Sequence, residues 1–189
     1  MAGLLERPAH RPAGARPPAG AATEAIPGLH LRPATPADFP AVRTFLGGLS
    51  LDSAYRRFFT GLGSVPDSLV RRLLATGTTR TVILAVAGCA IVGLADTTVV
   101  EGGAAVELGI VVADSWQGRS LGRPLTDAAL APARRSGIRT LRAHTLPDNA
   151  RAARILRRRW PAARSRFEDG TLVWDIDLAG APVTDWKGN

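Results

Sequence analysis

The stretch Glu107-Leu108-Gly109-Ile110-Val111-Val112-Ala113-Asp114-Ser115-Trp116-Gln117-Gly118-Arg119-Ser120-Leu121-Gly122-Arg123 decides the reading of this 189-residue chain. Its first half is apolar and rich in β-branched residues, which predicts a strand over 106–112. Gln117 and Gly118 end that pattern. A helical pattern then runs from Leu121 to Ser136, with Gly137 as its stop. A strand that turns through glycine into a helix points free amide N–H groups and the positive end of the helix dipole at one place. Such a turn is a ready seat for a pyrophosphate. Its spacing is neither GxGxxG nor GxxxxGK(S/T), which excludes the dinucleotide fingerprint and the P-loop.

Outward from this turn, the pattern alternates between sheet and helix. Upstream it predicts a strand at 29–32 and a helix opened by Thr35 and Pro36. Short helices follow at 50–59 and 66–75, then a hairpin of strands at 82–87 and 91–100 around Gly88-Cys89. Downstream it predicts a strand at 138–145 and a helix at 149–159. A second hairpin, 164–167 with 171–178, closes on Asp169-Gly170, a two-residue turn that suits hairpins. The order β-α-α-α-β-β-β-α-β-α-β-β defines an α/β (α+β) domain with a mixed sheet. We place that single domain at residues 28–179. Residues 1–27 contain eight Ala, five Pro and three Gly without apolar periodicity and read as a disordered tail; residues 180–189 read as a short second tail.

Composition narrows the function classes. Hydrophobic residues make up 46% and charged residues 21%, an ordinary globular balance. The single cysteine, Cys89, excludes a disulfide framework, and His10, His30 and His144 lack metal-ligand spacing, so no metal is expected. The longest apolar run, 82–95, is shorter than the roughly 18 residues of a membrane span. With no secretory signal pattern at the N-terminus, the cytoplasm is the expected location and no membrane partner is expected. The net charge is +8, and all but one of the 24 basic residues are arginines. Eleven of them lie between Arg134 and Arg166, where Asp148 is the one acid. That cluster reads either as a face for a phosphate-bearing partner or as a solvated helix face. Without interleaved aromatics or a nucleic-acid motif, a nucleic-acid partner is not expected.

Gln117-Gly118-Arg119-Ser120-Leu121-Gly122 resembles the Q/R-x-x-G/A-x-G/A turn of the GNAT superfamily of acyl-CoA-dependent N-acyltransferases. The similarity extends over residues 29–178 in element order. Leu146-Pro147-Asp148-Asn149 and the arginine-rich helix after it resemble that family's fifth strand, asparagine and following helix. Residues 49–59, ending Tyr55-Arg56-Arg57-Phe58-Phe59, and Phe167-Glu168-Asp169-Gly170 resemble bacterial protein lysine acetyltransferases of the Pat type. The resemblance implies a GNAT-like, mostly antiparallel sheet flanked by helices, with acetyl-CoA as co-substrate. It implies backbone contacts to pantetheine from Val111 and Val112. It implies pyrophosphate contacts from Gln117, Gly118, Arg119, Ser120, Leu121, Gly122 and Arg123, and a further cofactor contact from Asn149. The implied acceptor is an amine, a protein lysine in Pat-type enzymes.

An amine must be neutral to attack a thioester, and a free lysine titrates at about 10.4. A general base must therefore take its proton. Glu107, on the strand that leads into the turn, is the candidate for that base; the resemblance implies it, since it matches the glutamate position of Pat-type enzymes ten residues before the turn glutamine. Four departures from the family pattern stand beside this reading. Ser120 replaces a glycine or alanine, and Leu156 replaces the tyrosine acid of many members. Pro132 falls inside the predicted helix, and Trp160-Pro161 replaces a Gly-Phe.

Other readings follow from the same residues. Gly118-Arg119-Ser120-Leu121-Gly122 fits the G-x-S-x-G nucleophile elbow, but the rest of the triad fails: the only acid and histidine in order, Asp127 and His144, fall inside the following helix and on a strand. A non-catalytic acyl-CoA binder or interaction module and a small-molecule amine acetyltransferase are the alternatives to a protein acetyltransferase. Tyr55, Phe58 and Phe59 are expected in the core, Trp116 is expected to pack, and His144 is read as a core or edge histidine.

Overall fold

The computed structural model describes residues 28–61 and 64–179. The two tail assignments, with Trp186 and His10, lie outside them. Strands β1 (Leu29–Pro33), β2 (Arg80–Ala87), β3 (Ala90–Val100), β4 (Ala105–Val112), β5 (Thr140–Thr145), β6 (Arg164–Glu168) and β7 (Thr171–Asp177) form one sheet. Its spatial order is β1-β2-β3-β4-β5-β7-β6, and β4 with β5 is the one parallel pair among them. Helices α1 (Phe39–Gly47), α2 (Leu51–Phe58), α3 (Asp67–Leu74), α4 (Gly122–Arg135) and α5 (Ala150–Arg159) complete the domain. The α/β class, mixed sheet and element order are those the sequence predicts.

Alternation along the strands sorts the core into two layers. On one face Val82, Leu84, Leu94 and Val111 pack against Val42 and Phe45 of α1 and Val70 and Leu73 of α3. On the other, Ile83, Ala85 and Ala95 meet Leu125, Ala128 and Ala129 of α4. The far half of that second face, with Val106, Leu141, Trp174 and Ile176, packs on Leu130 of α4 and Ala153 and Leu156 of α5. The small residues of α4 let it sit close to the sheet. At Gly93 a Cβ would come within 2.8 Å of Leu125 Cδ1, so the close approach needs glycine. Pro132 does not end α4, which runs on to Arg135. The donor that Pro132 lacks would have served the Ala128 carbonyl; the buried hydroxyl of Thr97 donates to the neighbouring Ala129 carbonyl at 3.2 Å.

Two aromatic expectations are corrected. Tyr55 and Phe59 are 46% and 38% exposed, while Phe58 packs on the α1–α3 core. The inward face of α2 carries Ser53 and Ala54 instead, together with Arg57, whose side chain reaches the buried Asp96. This face serves polar contacts, and the large rings point away.

The first helical turn is fixed electrostatically. Asp38, buried, accepts from Thr35 N at 2.8 Å and Thr35 Oγ1 at 3.0 Å, and its two oxygens take both terminal nitrogens of Arg32. The Arg32 guanidinium foremost, then the Thr35 donors, hold the Asp38 carboxyl far below its usual range against burial. A depressed carboxyl stabilises the fold above the unfolded-state value, about 3.9. Asp38→Ala should therefore cost about 1–2 kcal/mol at neutral pH. Denaturation at stepped pH should show that cost constant down to about pH 4 and shrinking as pH falls further. A cost that grew on acidification would contradict the assignment.

Candidate functional site

The geometry of the site begins where β4 and β5 part. Their parallel register covers Ala105↔Thr140, Val106↔Leu141, Glu107↔Arg142 and Leu108↔Ala143 and then stops. On its other edge β4 stays bonded to β3 through Val112↔Gly93. The Ala113 amide donates to the Val92 carbonyl at 2.9 Å, so Ala113 and, by alternation, Val111 turn their backbone groups to β3. The groups facing the gap belong to Ile110 and Val112. The expectation for Val112 keeps its geometric basis; that for Val111 is corrected to Ile110.

At the end of β4 a single 3-10 turn, Asp114–Trp116, leads into the glycine turn. Gly118 has φ +81° and Ser120 has φ 60°. A left-handed conformation costs a non-glycine residue about 1–2 kcal/mol. The family preference for glycine or alanine at the Ser120 position therefore has a steric cause for glycine. Among the described residues, the amides of Gly118, Arg119, Ser120, Leu121, Gly122 and Arg123 donate to no protein acceptor. The next residue, Pro124, has no amide hydrogen. Six unpaired donors at the start of the 14-residue helix α4 fit an anionic diphosphate. The Arg119 guanidinium lies over the Trp116 ring, 5.0 Å from its centre, and Trp116 packs on the α4 core as expected.

The Gln117 side chain is already engaged. Its Nε2 donates to Ser53 Oγ at 3.0 Å and to the Val112 carbonyl at 3.3 Å, and its Oε1 accepts from Arg151 at 2.6 Å. Asp114 extends this network, accepting from the Ser50 amide and from the hydroxyls of Ser50 and Ser53 at 2.7–2.9 Å. Burial pushes the Asp114 carboxyl up, and these donors outweigh it and hold it below its usual range. Gln117 thus ties the turn to α2 and α5 through its side chain. Asn149 caps α5, its side-chain oxygen accepting from Ala152 N at 3.0 Å.

Glu107 lies on the sheet face opposite α4 and α5. It borders an open depression of about 170 Å³ with Arg142, His144, Arg166, Glu168 and Asp169. Arg142 is held by Asp175 at 2.9 Å and by Glu101. Arg166 is held by Glu168 at 2.8 Å and by Asp175. Against burial, these two arginines hold the Asp175 carboxyl below its usual range. Both arginine charges are therefore spent locally. Among the described residues Glu107 makes no salt bridge to an arginine, and its one ionisable neighbour at salt-bridge range is His144, 3.7 Å away. Sequence reading missed His144, Arg142 and Arg166 as parts of this site. The β4–β5 register brings the first two beside Glu107, and the β6–β7 hairpin adds the third.

The arginine reading changes, and the elbow rejected from the sequence has no triad here either. The arginine cluster is not one face. Arg134 and Arg159 converge on the buried Asp127, Arg142 and Arg166 on Asp175, and Arg157 lies over Trp174. Burial, the largest influence on Arg159, pulls its pKa below the usual value, even against Asp127. The hydrolase elbow also fails. Asp127 is committed to arginines and His144 stands beside Glu107, so Ser120 has no base. Leu156 is buried in the core and supplies no acid.

This half-open strand beside an anion-seeking turn is the architecture of an N-acetyltransferase that draws its acetyl group from CoA. The family model for the acetyltransferase (GNAT) domain matches residues 28–159, and the chain belongs to that family. The GNAT domain of S. lividans PAT is 25% identical, with a TM-score of 0.71 over 78% of this chain and 89% of that one. Spermidine N-acetyltransferase from Vibrio cholerae, in complex with CoA and spermine, shares the fold at 14% identity and a TM-score of 0.62, covering 79% of this chain and 95% of that one. The PaiA N-acetyltransferase from Thermoplasma acidophilum, in complex with coenzyme A, does so at 10% identity and a TM-score of 0.64, over 79% and 98%. No match was found among curated proteins.

One ion pair crosses the site. Arg57 of α2 passes over Gly109 of β4 to reach Asp96 of β3, which is 5% exposed. Arg80 is the second partner of Asp96, at 3.3 Å. A Cβ at Gly109 would collide with the Arg57 guanidinium. Gly109→Ala should therefore cost about 1–3 kcal/mol by moving Arg57 off Asp96. Because both changes break one pair, the double variant Gly109→Ala/Arg57→Ala should be no less stable than Arg57→Ala alone. Additive losses in chemical denaturation would refute that coupling.

Proposed function

We propose that this chain transfers the acetyl group of acetyl-CoA to the side-chain amine of a protein lysine, with Glu107 as general base. The observation that carries this reading is Glu107 itself. It is a 45%-exposed carboxylate without an arginine partner, on the half of β4 next to the open edge. Acetyl-CoA fits the residues present: the free amides of Gly118–Arg123 suit its diphosphate, and the gap-facing groups of Ile110 and Val112 suit its amide-bearing arm. Asn149, at the start of α5, is the further contact.

The depression favours a cation, since Glu107 and Asp169 are the acids not spent on arginines. It is also too small and open to enclose a free metabolite, for which pockets of about 300–1,000 Å³ are usual. A lysine side chain entering from a protein surface needs no such enclosure. Leu51 and Tyr55 on α2 and Phe59 just past its end, all exposed, supply apolar surface for a macromolecular acceptor. Glu107, directly or through one water, takes the ammonium proton so that the amine can attack.

Replacing Glu107 by Gln should lower kcat by about 10²-fold or more. Its acetyl-CoA affinity, measured by calorimetry, should stay within about twofold of wild type because the diphosphate seat is untouched. Wild-type turnover in this variant would remove Glu107 from the mechanism. In a panel of lysine peptides, folded proteins and polyamines, kcat/KM should be highest for a protein; a preference for spermidine-like amines would favour the small-molecule reading.

A further inference from the structure

His144 stands where the parallel strands part, two residues after the last rung that includes Glu107. Its Nε2 is 3.7 Å from Glu107 Oε1, and the two side chains are 35% and 45% exposed. That separation exceeds a hydrogen bond and is closed by a small rotation or by one bridging water. The charged groups facing the imidazole are Glu107 from β4, Arg142 from β5, Arg166 and Glu168 from β6, and Asp169 from the hairpin turn. The neutral Thr171 and Val173 of β7 complete the surround. Arg142 and Arg166 spend their charge on Asp175, Glu101 and Glu168. Of the carboxylates Glu107 and Asp169, unpaired with arginine among the described residues, the one within salt-bridge range of His144 is Glu107.

We propose that His144 is the proton-relay partner of Glu107, carrying to water the proton that Glu107 takes from the acceptor. The inference rests on the reading of Glu107 as the base. The acceptor N–H bond breaks as an O–H bond forms on the Glu107 carboxylate. That O–H bond then breaks as Nε2 of His144 gains the proton. The imidazolium returns to imidazole by losing one proton to water, and nothing is oxidised or reduced. Imidazole suits the last step because it exchanges protons near neutral pH, whereas the relay resets Glu107 for the next turnover. His144 acts through Glu107 and not on the acceptor.

The test is a pH profile of kcat, from about pH 5.5 to 9, for wild type and for His144→Gln, which cannot carry the proton. His144→Gly is assayed with and without added imidazole, and acetyl-CoA affinity by calorimetry shows that each variant is folded. His144→Gln should lower kcat by about tenfold at pH 7, leave the acceptor KM within twofold, and abolish the acid limb in the imidazole range. Imidazole should restore His144→Gly in proportion to its concentration. Wild-type kcat and acid limb in His144→Gln, or no rescue of His144→Gly, would overturn the relay. Glu107→Gln in the same assay separates the two readings. If it is inactive while His144→Gln is unimpaired, the relay alone falls; if it is fully active, the base reading falls and the relay with it.

Discussion

Between Gly109 and Val112 the two edges of β4 have different partners. One edge keeps its ladder to β3, while the other has lost β5. Backbone groups left unpaired away from water are costly, so an edge that opens beside a helix needs either solvent or a ligand. Two devices hold this strand in place without β5. The Arg57–Asp96 pair passes over Gly109 and fixes α2 to the β3–β4 ladder. The Gln117 amide bonds the Val112 carbonyl and Ser53, fixing the turn to α2. Together they keep the gap, the free amides of the turn and Glu107 in register on one rigid strand.

Part of the arginine excess is met by pairing with buried or half-buried acids. Asp96 and Asp127, both buried, each meet more than one arginine, and a buried carboxylate that lost its partner would cost about 3–5 kcal/mol. Asp175 takes two more. Four of the eleven arginines in the basic segment, Arg134, Arg142, Arg159 and Arg166, are thus divided among separate acids on both faces of the sheet. The consequence is local: the two arginines that line the depression beside Glu107 are held by Asp175, Glu101 and Glu168.

How much of this was legible in the sequence depended on the range of the interaction. The turn at Gln117–Gly122 and the Asp169-Gly170 hairpin were readable because glycine and strand patterning act within a few residues. Glu107 was singled out by its strand position and, mostly, by its match to the glutamate of Pat-type enzymes. The β4–β5 register was not readable, because parallel pairing is set by the packing of α4 between the strands. Without that register His144 looked like an ordinary strand histidine, and Val111 could not be told from Ile110 as the residue facing the gap. Tyr55 and Phe59 misled because aromatic residues at helical spacing usually mark a core face. Here the inward positions of α2 are taken by Ser53, Ala54 and Arg57, which serve the turn and the ion pair.

The burial of Leu156 where many relatives carry a tyrosine acid fits this proton economy. A free thiol titrates at about 8.5, so a departing thiolate is nearly stable at neutral pH and gains little from a donated proton. An alkyl ammonium titrates at about 10.4 and does not attack until its proton is removed. The gap of about two units makes a base far more valuable than an acid for this transfer. A site that spends α5 on core packing, through Leu156 and Ala153, can therefore do without the acid. In the mechanism proposed above it needs a carboxylate on the acceptor side, and Glu107, which makes no arginine pair among the described residues, is the one offered.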